Sequence, residues 1–338
     1  MIFERGTLND IFDDYIIFRE LNPFKRELPD FETIKGRLSL KTFPRKKDKE
    51  YALVLSTILK EAKNFSNIVY IGDTFMSDLT VIKNLKAYGI DVFGVITDEG
   101  ATPPESGLSY VRFSTSWREL LHFVSPYINS NTVVIVDVDK TAIGAHGRNH
   151  LPIDKARSDA IFELARVCFA KPERNTILKL YHSIHTKEFL HFTEDNQDIV
   201  SIMTLILYSH LKTFEEFCKI AKEKSFREFV ENIEVKEGML KTFVDEVKEH
   251  LSKGSPTIFP TFRRIELEKT IKRMDFLPDA TPLDVLFDEE ILITGEVYST
   301  GIFAREKGAL VFGVSDKPES ASISERYTVF TQRMKIYP

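Results

Sequence analysis

Three segments of the chain combine β-branched and apolar residues and then end abruptly in a polar turn, which is the pattern of buried parallel strands. They are Asn67 to Ile71, Asp91 to Ile96 and Thr132 to Val136. Helix-like stretches separate them, and this βαβ rhythm predicts a parallel sheet. Two further segments of the same kind occur near the C-terminus, Glu290 to Thr294 and Ala309 to Val314. The pattern therefore predicts an α/β fold with a doubly wound parallel sheet.

The pattern changes to helices between Ile153 and about Ala280. Capping boxes at Thr213 to Glu216 and Ser225 to Glu228 predict two helix starts, and Gly254 predicts a helix end. We therefore expect an α/β core made of residues 1–150 and 281–338, interrupted by an all-helical domain at residues 151–280.

Composition narrows the function classes. The chain has 338 residues, of which 43% are hydrophobic and 29% charged, which is typical of a globular protein. Its net charge of -5 argues against a nucleic-acid partner, because such proteins need an excess of basic residues. The start of the chain does not resemble a secretion signal, the longest apolar run is too short to span a bilayer, and the two cysteines lack metal-ligand spacing. We expect a cytoplasmic protein without a membrane partner that acts on a small molecule.

The strongest chemical signal is the run VVIVDVDKTAIG, in which Asp137 and Asp139 follow a predicted central strand. Ligands bind at the carboxyl ends of the strands in open α/β sheets. Carboxylates two residues apart just beyond a strand can face the same crevice, where one attacks a substrate and the other moves a proton. The simpler interpretation is an acidic turn that caps the next segment.

A second acidic signal is the run IVYIGDTFMSDL, which places Asp73 and Asp78 after another predicted strand. A magnesium ion beside a phosphate needs more than one carboxylate to hold it. Asp73 is the candidate for a direct ligand, and Asp78 for a second ligand or a support. The alternative is a tight glycine turn followed by an N-cap aspartate.

The first run resembles the haloacid-dehalogenase superfamily, whose signature is an apolar strand followed by DxDxT. Asp137, Asp139 and Thr141 match this signature residue by residue. The resemblance implies that Asp137 becomes an aspartyl-phosphate and that Asp139 is the general acid and base. It implies a Mg²⁺ site at Asp137 and Asp139, with Thr141 beside the substrate. The second run resembles the acidic motif of the same superfamily, which adds Asp73 and Asp78 to the metal ligands.

The order of the motifs departs from that superfamily, because the acidic motif precedes the nucleophile in this chain. Circular permutation explains the order: the strands that usually come fourth and fifth come first here. The competing account treats residues 1–130 as a separate domain and gives the acidic role to Asp316 or Glu319.

The resemblance also implies further roles. Thr294 is placed to donate a hydroxyl to the phosphoryl group, and either Lys49 or Lys317 is placed to neutralise its charge. The helical insertion lies where members carry a cap over the substrate, with Gly144 and Gly147 as a candidate hinge. Arginines suit phosphate or carboxylate binding. The candidate substrate contacts are Arg148 and Arg263, followed by His146, Arg157 and Arg264.

The sequence thus predicts a Mg²⁺-dependent phosphatase of a small phosphorylated metabolite. A phosphomutase or phosphotransferase of the same superfamily is an alternative, and so is a non-catalytic module that binds phosphate and metal. DxD is also a manganese ligand in sugar-nucleotide transferases, although that interpretation leaves the second acidic run without a role. The substrate and the oligomeric state stay open.

Overall fold

The computed structural model describes residues 3–100 and 107–337. They divide into two compact units. One contains the described residues up to Lys155 together with those from Thr270 onwards, and the other is Ala156–Lys269. Both boundaries fall within helices, α6 (Leu151–Cys168) and α13 (Pro260–Ile271).

The first unit is built on a six-stranded sheet in which all neighbouring strands are parallel. Its strands, in spatial order, are β2 (Ile16–Ile17), β8 (Leu310–Val314), β6 (Thr132–Asp137), β3 (Asn67–Gly72), β4 (Asp91–Thr97) and β5 (Val111–Ser114). The predicted α/β class and parallel sheet are confirmed. Because β3 and β4 share this sheet with β6, residues 1–130 do not form a separate domain.

One predicted strand is placed wrongly. Of the stretch from Glu290, only β7 (Ile293–Thr294) is a strand, and it lies in a separate small sheet. That sheet pairs β9 (Met334–Tyr337) antiparallel with β1 (Glu4–Gly6) and parallel with β7. The reason is that Glu290 ends a helix and its buried carboxylate accepts a hydrogen bond from Lys335 at 2.7 Å, which leaves only a short extended segment.

Two strands of the large sheet were not predicted. β2 is only two residues long, and β5 exposes Arg112 at the outer edge of the sheet. The buried apolar run at β2 is short, Ile16 to Phe18, and β5 is interrupted by a charged residue, so neither has the longer run by which the other strands are recognised.

Helices cover both faces of the large sheet. Phe312 packs with the residues of α2, α3 and α4, whereas its neighbour Gly313 lies against Phe12 of α1. Side chains of successive strand residues point to opposite faces, so these contacts lie on opposite sides. The helices of this unit besides α6 are α1 (Leu8–Phe12), α2 (Phe31–Leu38), α3 (Lys49–Ala62), α4 (Asp78–Ala87), α5 (Leu120–Val124), α14 (Leu283–Glu289) and α15 (Gly295–Glu306). Short 3₁₀ turns occupy Trp117–Glu119, Ser125–Tyr127 and Glu319–Ala321.

The strand order reverses between β3 and β6. From β3 the chain proceeds outward through β4 to β5, then returns to the other side of β3 as β6 and continues outward to β8. Ligand crevices in open parallel sheets form at the carboxyl ends of strands where the order reverses in this way. The two acidic runs leave the sheet at this point.

The second unit is helical among its described residues. It contains most of α6 and α13 and the helices α7 (Arg174–Ile184), α8 (Leu190–Thr193), α9 (Gln197–Tyr208), α10 (Phe214–Glu223), α11 (Phe226–Asn232) and α12 (Met239–Ser252), with a 3₁₀ turn at Lys187–Phe189. The predicted capping boxes start α10 and α11, and α12 ends just before Gly254. Its core is an apolar cluster that includes Phe192, Phe217 and Phe259. A cap function for this unit stays a prediction.

No helix in the described part of the chain is long and apolar enough to cross a membrane.

Candidate active site

Three buried carboxylates meet at the carboxyl edge of the large sheet. Asp73 follows β3, Asp78 begins α4 and Asp137 ends β6. Each offers an oxygen within 4.8 Å of the others. We call these three residues the acidic cluster. Because β3 and β6 are adjacent parallel strands, their carboxyl ends deliver these side chains to one place. The predicted proximity of Asp73 and Asp137 is confirmed.

A lysine joins two members of the acidic cluster. Lys46 Nζ lies 2.7 Å from Oδ1 of Asp137, 3.2 Å from Oδ1 of Asp78 and 3.1 Å from Oδ2 of Asp316. Its side chain is 7% exposed, whereas Asp316 is largely exposed. A buried ammonium held among carboxylates orients them and offsets their mutual repulsion.

Asp78 is held by donors on both sides. Its Oδ1 accepts a hydrogen bond from the hydroxyl of Tyr70 at 2.8 Å, and its Oδ2 accepts from the backbone N–H groups of Asp73 and Thr74 at 3.2 and 3.0 Å. Gly72 leaves the room for this approach, since a Cβ there would lie 2.6 Å from Cγ of Asp78. The glycine of the second acidic run is therefore required by packing.

Burial and the charge of Lys46 have opposite effects on the pKa values of Asp137 and Asp78. Burial, together with the neighbouring carboxylates, raises the pKa of Asp137 well above its ordinary value, although Lys46 opposes the shift. Burial also raises the pKa of Asp73. The pKa of Asp78 is lowered despite burial, because Lys46 and the hydroxyl of Tyr70 favour the carboxylate. The carboxylates, first Asp137, raise the pKa of Lys46 although its burial acts against the charge.

The loop after β6 turns sharply. Two successive hydrogen bonds join residues five apart, from the N–H of Ala142 to the carbonyl of Asp137 and from Ile143 to Val138. The turn brings Oδ2 of Asp139 to 3.3 Å from Nζ of Lys317. Among the described residues, the Asp139 carboxylate does not belong to the acidic cluster. The expected role of Asp139 as a side-chain metal ligand is therefore not supported. Its carboxylate contacts Lys317 instead.

Two buried hydroxyls at this edge lack a hydrogen-bond partner among the described residues. They belong to Thr97 at the end of β4 and to Thr141 in the loop after Asp139. A buried polar group without a partner is unusual in a folded protein and is commonly satisfied by a bound ligand or water. Thr141 thus lies in the predicted region, and Thr97 was missed because a threonine at a strand end carries no distinctive sequence signal.

His146 was expected to contact substrate, and the structure places it on Asp73. Its Nδ1 lies 2.9 Å from Oδ2 of Asp73, although the two atoms are not aligned as in a straight hydrogen bond. Contact with the Asp73 carboxylate raises the pKa of His146.

The position predicted for the Thr294 hydroxyl is occupied by a different residue. Thr294 belongs to β7, outside the large sheet, and its hydroxyl donates to the carbonyl of Thr141 at 2.6 Å. The neighbour of β6 on the side away from β3 is β8, and the residue that follows β8 is Ser315, which is 2% exposed. Ser315 therefore occupies the position that the sequence assigned to Thr294. The apolar run ending at Ser315 was visible in the sequence, but its place beside β6 was not.

The predicted lysines have different outcomes. Lys317 pairs with Asp139, whereas Lys49 is exposed at the first turn of α3. Lys46, three residues earlier in the same RKKDK run, is the buried lysine that reaches Asp137. The predicted helix does begin at Lys49, but the lysine that contacts Asp137 lies in the loop before that helix.

The two predicted substrate arginines are committed to carboxylates of the protein. Arg148 donates to Glu99 and Glu296. Arg263, in the helical unit, is 2% exposed and donates to Asp198 and Glu266. With their guanidinium groups engaged in this way, neither is suited to bind substrate.

The donor set of the acidic cluster suits a divalent cation. Three buried carboxylates supply the hard oxygen ligands that Mg²⁺, Ca²⁺ and Mn²⁺ prefer, and their closeness raises the pKa of Asp137 further than burial alone, which a cation would offset. The residues therefore fit such an ion, without distinguishing among these metals.

Comparisons of the chain with protein-family models, with curated proteins and with solved structures gave no match.

Proposed function

We propose that this protein is a divalent-cation-dependent phosphatase that hydrolyses a small phosphate monoester through an aspartyl-phosphate. The observation that carries the proposal is the pair of lysine–aspartate contacts at the carboxyl edge of the sheet, Lys46 with Asp137 and Lys317 with Asp139. Two carboxylates two residues apart in sequence each have a different cationic partner, which fits two different chemical roles.

In the first step an oxygen of Asp137 attacks phosphorus, and the bond from phosphorus to the leaving oxygen breaks. Asp139 gives its proton to that oxygen, so the alcohol leaves neutral. In the second step Asp139 takes a proton from water, whose oxygen attacks the same phosphorus. The aspartyl-phosphate bond breaks, which releases inorganic phosphate and restores the Asp137 carboxylate.

Other residues hold and neutralise the reacting groups. Lys46 fixes the attacking carboxylate, and Lys317 lies beside the proton-transfer group. The buried Ser315 hydroxyl, which accepts a hydrogen bond from the N–H of Lys317 at 3.1 Å, would donate to the phosphoryl group. Asp73, Asp78 and Asp137 would hold the cation, for which Mg²⁺ is our first choice. When bound, the cation supplies charge stabilisation to the transferring phosphoryl group.

The test is hydrolysis of p-nitrophenyl phosphate and a panel of phosphate monoesters with Mg²⁺ and with a chelator. We expect cation-dependent turnover by the full chain and its loss in Asp137→Asn. In Asp139→Asn we expect a trapped adduct of one phosphoryl group, detected by intact-protein mass spectrometry. The matched control is Asp91→Asn, which removes an exposed carboxylate at the opposite end of β4.

The outcomes are separable. Turnover by Asp137→Asn at the level of the unaltered protein would overturn the mechanism. Cation and phosphate binding without turnover of any ester would favour the non-catalytic module instead.

A further inference from the structure

Arg148 lies in the loop that follows Asp137 and Asp139, and its side chain contacts two other elements. Its Nε and Nη2 donate to the carboxylate of Glu99 at 2.8 and 2.7 Å, and its Nη1 and Nη2 donate to the carboxylate of Glu296 at 3.0 and 2.9 Å. Glu99 lies just beyond β4, and Glu296 lies in the first turn of α15. The guanidinium therefore connects the loop after β6 (the β6 loop) to the loop after β4 (the β4 loop) and to α15, through a pair of hydrogen bonds to each.

The backbone of His146 is fixed by the same β4 loop. Its carbonyl accepts hydrogen bonds from the N–H of Glu99 at 3.3 Å and from the indole of the buried Trp117 at 3.2 Å. The N–H of Trp117 in turn donates to the carboxylate of Glu99 at 3.2 Å. Glu99 thus touches both Arg148 and the backbone that carries the His146 ring.

We propose that Arg148, acting through Glu99, is a positioning residue that keeps the His146 ring on Asp73 and thereby orients the Asp73 carboxylate for a divalent cation. The inference rests on the cation site of the proposed function. His146 lies 2.9 Å from Oδ2 of Asp73, and the other oxygen of that carboxylate would then bind the cation. Groups that contact a ligating carboxylate from behind restrict its rotation, and their loss commonly weakens metal binding by about 10-fold to 100-fold.

The test measures Mn²⁺ affinity of the full chain by electron paramagnetic resonance, a readout independent of turnover. We expect His146→Ala to weaken Mn²⁺ binding by about 10-fold or more. His146→Asn is expected to restore most of the affinity, because its amide nitrogen stands in for Nδ1. The matched control is His122→Ala, which removes an exposed histidine from α5.

Arg148→Lys keeps the charge but loses the two-sided fork. We expect it to weaken Mn²⁺ binding, and we expect the double variant with His146→Ala to bind no more weakly than His146→Ala alone. Glu99→Gln, which keeps the side-chain shape, is a second test of the same link. Thermal unfolding of every variant confirms that the affinities are compared between folded proteins.

The results distinguish failure of this inference from failure of the proposed function. If Asp137→Asn binds Mn²⁺ as tightly as the unaltered protein, or if neither binds it, the cation site itself is wrong. If Asp137→Asn weakens binding and His146→Ala does not, only the positioning inference is overturned. Additive losses in the double variant would show that Arg148 acts by a route other than His146.

Discussion

Lys46 Nζ lies 2.7 Å from Oδ1 of Asp137, although 91 residues separate them in the chain. The contact is buried, and the same ammonium also reaches Asp78. Removing one partner of a buried ion pair leaves an uncompensated charge, which costs more than the pair itself contributes. Lys46 therefore has two consequences that experiments can separate, one for stability and one for the reactivity of Asp137.

Lys46→Met is expected to lower the free energy of unfolding by about 3–5 kcal/mol and to reduce phosphatase kcat/KM by at least about 100-fold. Lys46→Arg keeps the charge and should recover much of the stability but little of the turnover, because its planar group cannot occupy the same contact points. Urea unfolding and steady-state kinetics measure the two effects. Lys49→Met is the matched control, since Lys49 is exposed, and activity lost in that variant instead would contradict the assignment.

Ser315→Ala and Thr294→Ala separate the two hydroxyl candidates. Ser315→Ala should reduce kcat by about 10-fold to 100-fold, because the lost hydroxyl serves the phosphoryl transfer. It also removes the buried hydrogen bond that Oγ accepts from the N–H of Lys317 at 3.1 Å, which should cost about 1 kcal/mol of stability. Thr294→Ala removes a buried hydrogen bond to the carbonyl of Thr141 and should cost about 1 kcal/mol of stability with little change in kcat. A loss of kcat in Thr294→Ala with none in Ser315→Ala would restore Thr294 as the site hydroxyl.

The residues of the candidate site differ in how far the sequence pattern alone could locate them. Asp73 and Asp137 could each be placed at the end of a strand, because a run of buried strand residues also specifies where the strand ends; their shared site was implied by the resemblance. Lys46 could not be placed at the site from the sequence, since its contact with Asp137 depends on the path of the loop between α2 and α3. Ser315 could not either, because the choice between β7 and β8 as the neighbour of β6 depends on long-range pairing. Local pattern therefore identified the acidic residues but not the groups that surround them.

Arg263 is predicted to stabilise the helical unit rather than to bind substrate. Its buried guanidinium contacts Asp198 and Glu266, so Arg263→Met should lower the free energy of unfolding by about 3–5 kcal/mol. Arg264→Met, at the exposed neighbouring position, should change it by less than about 0.5 kcal/mol. Chemical denaturation measures both variants. A folded Arg263→Met protein of unchanged stability but raised KM would instead show a substrate contact.

Glu99 is expected to give stability a pH dependence. Burial favours its protonated form, but the hydrogen bonds and charge of Arg148 outweigh burial and lower the pKa of Glu99 from its ordinary value of 4.5. The unfolded chain then binds the proton more readily than the folded protein. The stabilisation is fully present above pH 4.5 and is lost as the pH falls through the lowered pKa.

The comparison for this effect is between the unaltered protein and Glu99→Gln. Their difference in unfolding free energy should be constant at neutral pH and should shrink on acidification below pH 4.5. Denaturant titrations at a series of pH values measure it. A difference that did not change with pH would mean that the Glu99 charge contributes nothing to the contact with Arg148.

Gly147 is expected to be the most sensitive glycine of the β6 loop. Its φ is +80°, and a Cβ there would lie 1.8 Å from the backbone carbonyl oxygen of Glu99, so a side chain requires one of two backbones to move. Gly254 has a similar φ of +66° but open space around the added atom. Gly254→Ala should therefore cost about 1 kcal/mol, the ordinary penalty of left-handed backbone, whereas Gly147→Ala should cost about 3 kcal/mol or more. Because His146 precedes Gly147, the shift should also reduce Mn²⁺ affinity, which Gly254→Ala should leave unchanged. Equal losses of stability in both variants would show that the backbone at Glu99 moves at little energetic cost.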